Sequence, residues 1–233
     1  MQSNMHDHSS QTANTTRSSA IQLHYFPSAA SMAPHILLEE LEIPFELIKI
    51  DKDGGGLDSE AYRALNPNGL IPVLVEGDLV LYETAAICLH LADTHPDAGL
   101  MPRMGSVERA HAYKWLSWFS TTLQQALIVY FYPERWADSV HAIEQIKSHA
   151  QQRVLFLLEQ IEMHLATTAA PWMLGTTFSV LDVYGMMLCR WTRNFEGRKA
   201  RDFSHIGPWL ARVLARPAVQ RAFDKEELPL PWV

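Results

Sequence analysis

The sequence predicts a two-part fold: a small α/β domain of βαβ–ββα order followed by an all-helical domain. Three observations predict it. Short strand-like apolar runs stop at Tyr82, later apolar residues recur at helical spacing, and a Pro- and Gly-punctuated stretch from Pro96 to Gly105 divides the two regions. The 233 residues suffice for one large domain or two small ones. With 48% hydrophobic and 19% charged residues, wholesale disorder is excluded. Lys plus Arg number 19 against 26 Asp plus Glu, a net charge of −7, which argues against a nucleic-acid partner. No uncharged apolar run nears the ~20 residues that span a bilayer, so no membrane partner is expected.

Residues 1–20 hold no apolar block and read as a flexible polar tail rather than a signal peptide. His6 and His8 within it are expected to be solvated. Ile21–Tyr25 alternates apolar and polar side chains and predicts a strand, stopped by Phe26-Pro27-Ser28. Ser31 then precedes a helix with Met32, Pro34, Ile36, Leu37, Leu38 and Leu41. Pro34 is tolerated there because first-turn N–H groups have no intrahelical partner. Pro44 ends the helix, and Phe45–Ile50 predicts a second strand. After the Gly54-Gly55-Gly56 break comes a short helix over 59–65. Ile71–Val75 and Leu79–Tyr82, joined by Glu76-Gly77-Asp78, predict a hairpin, and a helix follows from Glu83 through Ala92.

These elements place the α/β domain at 21–98, a linker at 99–106 and the helical domain at 107–233. Ser106 is positioned to cap the first long helix. Later helices carry Val154, Leu158, Ile161 and Leu165, then Leu181, Tyr184, Leu188 and Trp191, then Ile206, Trp209, Leu210, Val213 and Leu214. The two cysteines, Cys88 and Cys189, sit among apolar neighbours and read as reduced core thiols.

Two segments carry chemistry. In Asn66-Pro67-Asn68-Gly69-Leu70-Ile71-Pro72-Val73-Leu74, a proline stands where a strand begins. It is either an ordinary strand-start proline or a cis Ile71–Pro72 bond that presents the Ile71 backbone to a peptide-like ligand. Glu83-Thr84 opens a helix, where a hydroxyl and free N–H groups suit a carboxylate while Glu83 suits an ammonium; a plain helix cap is the alternative.

Taken together, Tyr25-Phe26-Pro27, Ser31-Met32-Ala33-Pro34-His35, Asn66-Pro67-x-Gly69-x-Ile71-Pro72 and Leu81-Tyr82-Glu83-Thr84-x-x-Ile87 resemble the glutathione S-transferase family. They follow the order of its thioredoxin-like N-terminal domain, and Ser179-Val180-Leu181-Asp182 resembles the capping box of its helical domain. The resemblance spans about residues 21–225 and is greatest to bacterial beta-class members. It implies that glutathione is the co-substrate, with the Ile71 backbone, flanked by Leu70 and Pro72, on its cysteinyl unit. Glu83 and Thr84 would hold the γ-glutamyl head, and Lys52 would approach the glycine carboxylate. No metal is implied. A homodimer, a cytoplasmic location and a role in detoxification are expected from the family alone.

The chain departs from those relatives at the reacting centre. Ala30 stands where beta-class members carry a cysteine, Ala29 near the serine of other classes, and Gln124 and Gln125 at the family's His-Lys pair. A thiol with a pKa near ~8.5 is only a few per cent thiolate at neutral pH, so some donor must stabilise the sulfur anion. Ser31 ranks first, with helix capping as its other role; Tyr25, whose strand alternation favours core packing, and Ser28 follow. Trp115, Trp118, Phe119, Tyr130, Phe131, Tyr132 and Trp136 concentrate aromatic surface in the helical domain. Of these, Tyr132 and Trp136, beside Pro133, are the expected lining of a hydrophobic substrate's pocket. The expected activity is attack of the glutathione thiolate on a hydrophobic electrophile. The alternatives are a binding protein without turnover, or a peroxidase, isomerase or dehalogenase on the same fold.

Overall fold

The computed structural model describes residues 20–233; residues 1–19, with His6 and His8, lie outside them. Four strands, β1 (Ile21–Tyr25), β2 (Phe45–Lys49), β3 (Val73–Glu76) and β4 (Leu79–Tyr82), form one mixed sheet in the order β2-β1-β3-β4. β1 is parallel to β2 and antiparallel to β3, so Leu23 lies opposite both Leu47 and Leu74. β3 and β4 make the expected hairpin, with Val73 opposite Tyr82. The third strand starts at Val73 rather than Ile71, because Pro72 has no N–H to give to a ladder. Ile71–Pro72 is cis.

Alternation along β1 turns Ile21, Leu23 and Tyr25 into the core. His24 faces the other way, toward Tyr62 of α2 (Glu60–Leu65), with ring centroids 5.9 Å apart. α1 (Met32–Leu41) is buried from Met32 through Glu39, since the helical half packs on it and His35 meets the rings of Tyr25 on β1 and Phe45 on β2. α3 (Thr84–Thr94) packs beside α1.

Past the hairpin, the described residues form helices only, apart from one isolated bridge between Trp172 and Gly175. α4 (Val107–Trp118) starts at Ser106, whose hydroxyl accepts the Arg109 N–H at 3.1 Å as expected. A single π turn over Phe119–Leu123 leads into α5 (Gln124–Phe131). Then come α6 (Val140–Thr168), α7 (Val180–Arg190), α8 (Ile206–Leu214) and α9 (Pro217–Lys225).

Every residue of α7 is buried. Its N-terminus is fixed by the expected box: Asp182 accepts the Ser179 N–H at 2.9 Å, and the Ser179 hydroxyl accepts the Leu181 N–H at 3.3 Å. Asp182 also takes the Trp209 Nε1–H at 2.8 Å and the Met173 N–H at 2.9 Å. Burial nonetheless pushes its carboxyl up to about 6 against the pull of these bonds. Gly185 lets α7 pass close to its neighbours: a Cβ there would stand 2.9 Å from both Phe119 and Trp209. One apolar core runs continuously from β1 and α1 through α7 to α9. No described helix is long and apolar enough to cross a membrane.

Candidate functional site

Strand register gathers the sequence motifs at one end of the sheet. His24 lies opposite Val73, and Val73 opposite Tyr82, so the residues just beyond these pairs become neighbours. They are the loop after β1 (Phe26 to Ser31), Ile71-Pro72 before β3, and Glu83-Thr84 after β4. Ile71 lies beyond the paired part of β3, which leaves its N–H and C=O outside the ladder. Thr84 is buried at the first turn of α3, and Glu83 holds φ 73°, ψ 114°, a backbone state that costs a non-glycine residue about 1–3 kcal/mol. Strain of that kind persists where the surrounding structure imposes it, often at ligand sites.

The loop after β1 is held from the far end of the chain. Ser28 has φ 64°, and its N–H donates to Glu226 Oε2 at 2.8 Å. Glu226 is buried, and its Oε1 lies 2.9 Å from Nδ1 of the buried His35 on α1. On the other side, Arg193 donates an N–H to the Ser28 hydroxyl oxygen at 3.3 Å. Arg193 is half-buried three residues past the end of α7, and burial lowers its pKa below the ordinary arginine value.

A cleft of about 510 Å³ opens between this loop and the helical half. The α/β side contributes Phe26 to Ala30, Lys52, Leu57, Asp58 and Gly69 to Ile71. Opposite, Gln124, Ile128, Phe131 and Tyr132 present one face of α5 and its end, at the i, i+4, i+7 and i+8 spacing of a helix. Arg135, Trp191 and Arg193 complete this wall. The Arg135 guanidinium sits over the Tyr132 ring, 4.2 Å from its centroid. Gln124 is fixed by the Tyr184 hydroxyl, which donates to its Oε1 at 2.5 Å; burial raises that phenol's pKa.

Of the expected site residues, Ser28, Lys52, Leu70, Ile71 and Tyr132 line this cleft. Pro72 is buried beside Ile71, while Glu83 and Thr84 stand at the sheet end without forming the cleft's wall. Ser31, ranked first among the hydroxyl donors, is fully buried and absent from the cleft wall. Its Oγ donates to the Phe26 C=O at 3.1 Å and accepts the Phe26 N–H at 3.3 Å, so it closes the loop instead of capping α1. Tyr25 also points into the core, where burial and then Glu226 and Glu227 raise its pKa. Trp136 does not line the cleft: the 3₁₀ turn over Pro133–Arg135 carries it outward, where it is 52% exposed. Cys88 and Cys189 are free and buried away from the cleft, and burial raises both thiol pKa values.

The family model described as "Glutathione S-transferase, N-terminal domain" matches residues 27–94. The glutathione S-transferase GstA of Escherichia coli O157:H7 is 30% identical over 214 residues, covering 89% of this chain and all of the relative. The chain belongs to the glutathione S-transferase family. Among solved structures, the beta-class glutathione S-transferase of Sphingomonas chungbukensis is 30% identical, with a TM-score of 0.76 over 89% of this chain and 100% of the other. A glutathione transferase homologue from Sulfitobacter, solved with bound glutathione, is 26% identical with a TM-score of 0.81 over 90% of this chain and 99% of the other.

For this glutathione S-transferase, sequence reasoning missed Glu226, Arg193, Trp191 and Ile128. Glu226 and Arg193 meet Ser28 from 198 and 165 residues away, and no local pattern marks such a contact. Ile128 had a signal, since it follows Gln124 by four positions on one helix.

Proposed function

We propose that this transferase binds glutathione at the sheet end and uses Ser28 to stabilise its thiolate for attack on a hydrophobic electrophile. One observation carries the proposal: among Ser28, Ser31 and Tyr25, only Ser28 lines the cleft. A hydroxyl has one donor and two acceptor sites. Arg193 fills an acceptor site, which leaves the Ser28 O–H to donate to sulfur. The charged donor polarises that hydroxyl and strengthens its own donation. Glu226, holding the Ser28 N–H, keeps the residue in the left-handed conformation that aims it.

The remaining groups fit the rest of a γ-glutamyl tripeptide. The Ile71 backbone, outside the ladder, can pair with the central peptide unit. Thr84, with the positive end of the α3 dipole, suits the γ-glutamyl carboxylate, and exposed Glu83 suits its ammonium. Lys52, whose Nζ sits 5.5 Å from the Phe26 ring centroid, suits the glycine carboxylate. Glutathione supplies the nucleophilic sulfur; Phe131, Tyr132 and Trp191 supply apolar surface for the electrophile. A cytoplasmic homodimer acting in detoxification accompanies this reading by family analogy, and sedimentation tests the dimer.

A second reading, glutathione binding without turnover, draws on Ala29 and Ala30 in the loop. Thermal melting with glutathione, followed by conjugation of an aryl halide, separates the two. Stabilisation plus turnover is expected; stabilisation alone favours the binding protein, and no stabilisation at millimolar glutathione sinks both.

A further inference from the structure

The cleft has the opposite charge to the molecule. Against a net charge of −7, three cations, Lys52, Arg135 and Arg193, face the cleft beside one carboxylate, Asp58, which Arg63 already holds at 2.6 Å. Such a local reversal focuses anions into a cleft. In the reading above Lys52 meets the glycine carboxylate, which leaves the two arginines of the helical wall. Ion pairs engage Arg63, Arg109, Arg201, Arg216 and Arg221, but neither Arg135 nor Arg193, among the described residues. Among the described residues, the Arg193 guanidinium donates only to the Ser28 hydroxyl and the Arg190 C=O, both at 3.3 Å. A half-buried guanidinium with neutral partners alone is costly unless a ligand brings a counter-charge. The Arg135 guanidinium, stacked on Tyr132, has no hydrogen-bond acceptor among the described residues, so its N–H fork can meet a ligand. Phe131 and Trp191, ring centroids 6.4 Å apart, offer an aromatic surface on the same wall.

We propose that the second substrate is an aryl electrophile bearing a carboxylate or sulfonate, its ring on Phe131 and Trp191 and its anion met by Arg135 and Arg193. This rests on the transferase reading above. The guanidinium fork matches the two oxygens of such an anion in a way that a lysine does not. With an activated aryl halide, sulfur bonds to the ring carbon, the carbon–halogen bond breaks, and halide leaves with the bonding pair. The thiol proton has already passed to solvent.

Binding tests the idea without turnover. Calorimetry with 2-naphthoate and 2-naphthamide should show the anion bound at least tenfold more tightly, with a preference that shrinks as salt screens it. The Arg135→Gln/Arg193→Gln protein should lose that preference. Equal affinities in the unaltered protein, or a preference that survives both substitutions, would overturn the proposal. If the double variant fails to fold, Arg135→Gln alone, at an exposed position, should lower the preference at least threefold; no change overturns it. Kinetics then compares 4-chloro-3,5-dinitrobenzoate with its methyl ester. Each kcat/KM is divided by that compound's uncatalysed rate with glutathione, because the ester group activates the ring more than a carboxylate does; the benzoate should have a tenfold higher ratio. An ester whose ratio equals that of the acid refutes the anion site while leaving the transferase intact. Naphthoate preference with no conjugation of either compound refutes the transferase and leaves the anion site standing.

Discussion

Glu226→Ala should damage stability and activity together, because one buried carboxylate serves two elements. Its oxygens engage the Ser28 N–H at 2.8 Å and His35 Nδ1 at 2.9 Å, and its side chain is only 1% exposed. Hydrogen bonds to a charged group contribute about 1.5–3 kcal/mol each, so losing both costs about 3–6 kcal/mol. The change also removes a negative charge near Arg190, whose pKa burial, and then Arg193, push down to about 10 while Glu226 pulls it up. At about 2–4 °C per kcal/mol for a chain this size, Tm should fall by at least about 6 °C. Ser28, freed from its φ of 64°, would relax and take its hydroxyl with it. A misplacement of about 1 Å can cost a hundredfold in rate, so kcat/KM should drop at least about tenfold. Glu226→Gln is the control. Its carbonyl can accept the Ser28 N–H while its NH₂ donates to His35 Nδ1 in the tautomer protonated at Nε2, so it should cost only about 1 kcal/mol. Urea unfolding and steady-state conjugation measure both quantities. An alanine variant within about 1 kcal/mol and twofold of the parent would refute the clamp.

Three further outcomes are expected. Gly185→Ala should destabilise by about 1–3 kcal/mol, because its Cβ would meet the Phe119 and Trp209 rings at 2.9 Å; a change under about 0.5 kcal/mol in urea unfolding would contradict the close packing. Burial works against ionisation of Glu39, but hydrogen bonds from Lys225 and Arg221 more than offset it and lower its pKa below 4.5. Since the folded-state pKa is the lower one, this stabilisation is present above about pH 4.5 and lost as pH falls through that depressed value; Glu39→Gln should flatten the acid limb of Tm against pH, and an unaltered limb would rule the cluster out as its source. Trp136→Ala should leave kcat/KM within twofold, whereas Phe131→Ala should raise the electrophile's KM several-fold; the reverse pattern would restore Trp136 to the cleft.

The fold was legible because its signals are local. Alternation in Ile21–Tyr25, the hairpin turn at Gly77, the Ser106 cap and the Ser179–Asp182 box each lie within a few residues, and each recurs in the structure. The convergence of Ile71 and Glu83 follows from strand register, which brings both to one end of the sheet. Ranking the hydroxyls was not possible from spacing. Ser28 and Ser31 are three residues apart, and which one faces the cleft depends on the turn at Ser28 that distant Glu226 and Arg193 hold. Trp136 misled because it caps the 3₁₀ turn after α5 and stands exposed outside the cleft, which proximity to Pro133 in the sequence does not reveal.

The central claim, that Ser28 stabilises the thiolate, is tested most directly by titrating the thiol of bound glutathione through thiolate absorbance. A hydroxyl bond to a charged sulfur, at about 1.5–3 kcal/mol, corresponds to about one to two pH units. Ser28→Ala should therefore raise the pKa of the bound thiol by that amount, while Ser31→Ala, which loses only bonds to the Phe26 backbone, should leave it unmoved. A pKa that rises in Ser31→Ala and stays put in Ser28→Ala would contradict the account.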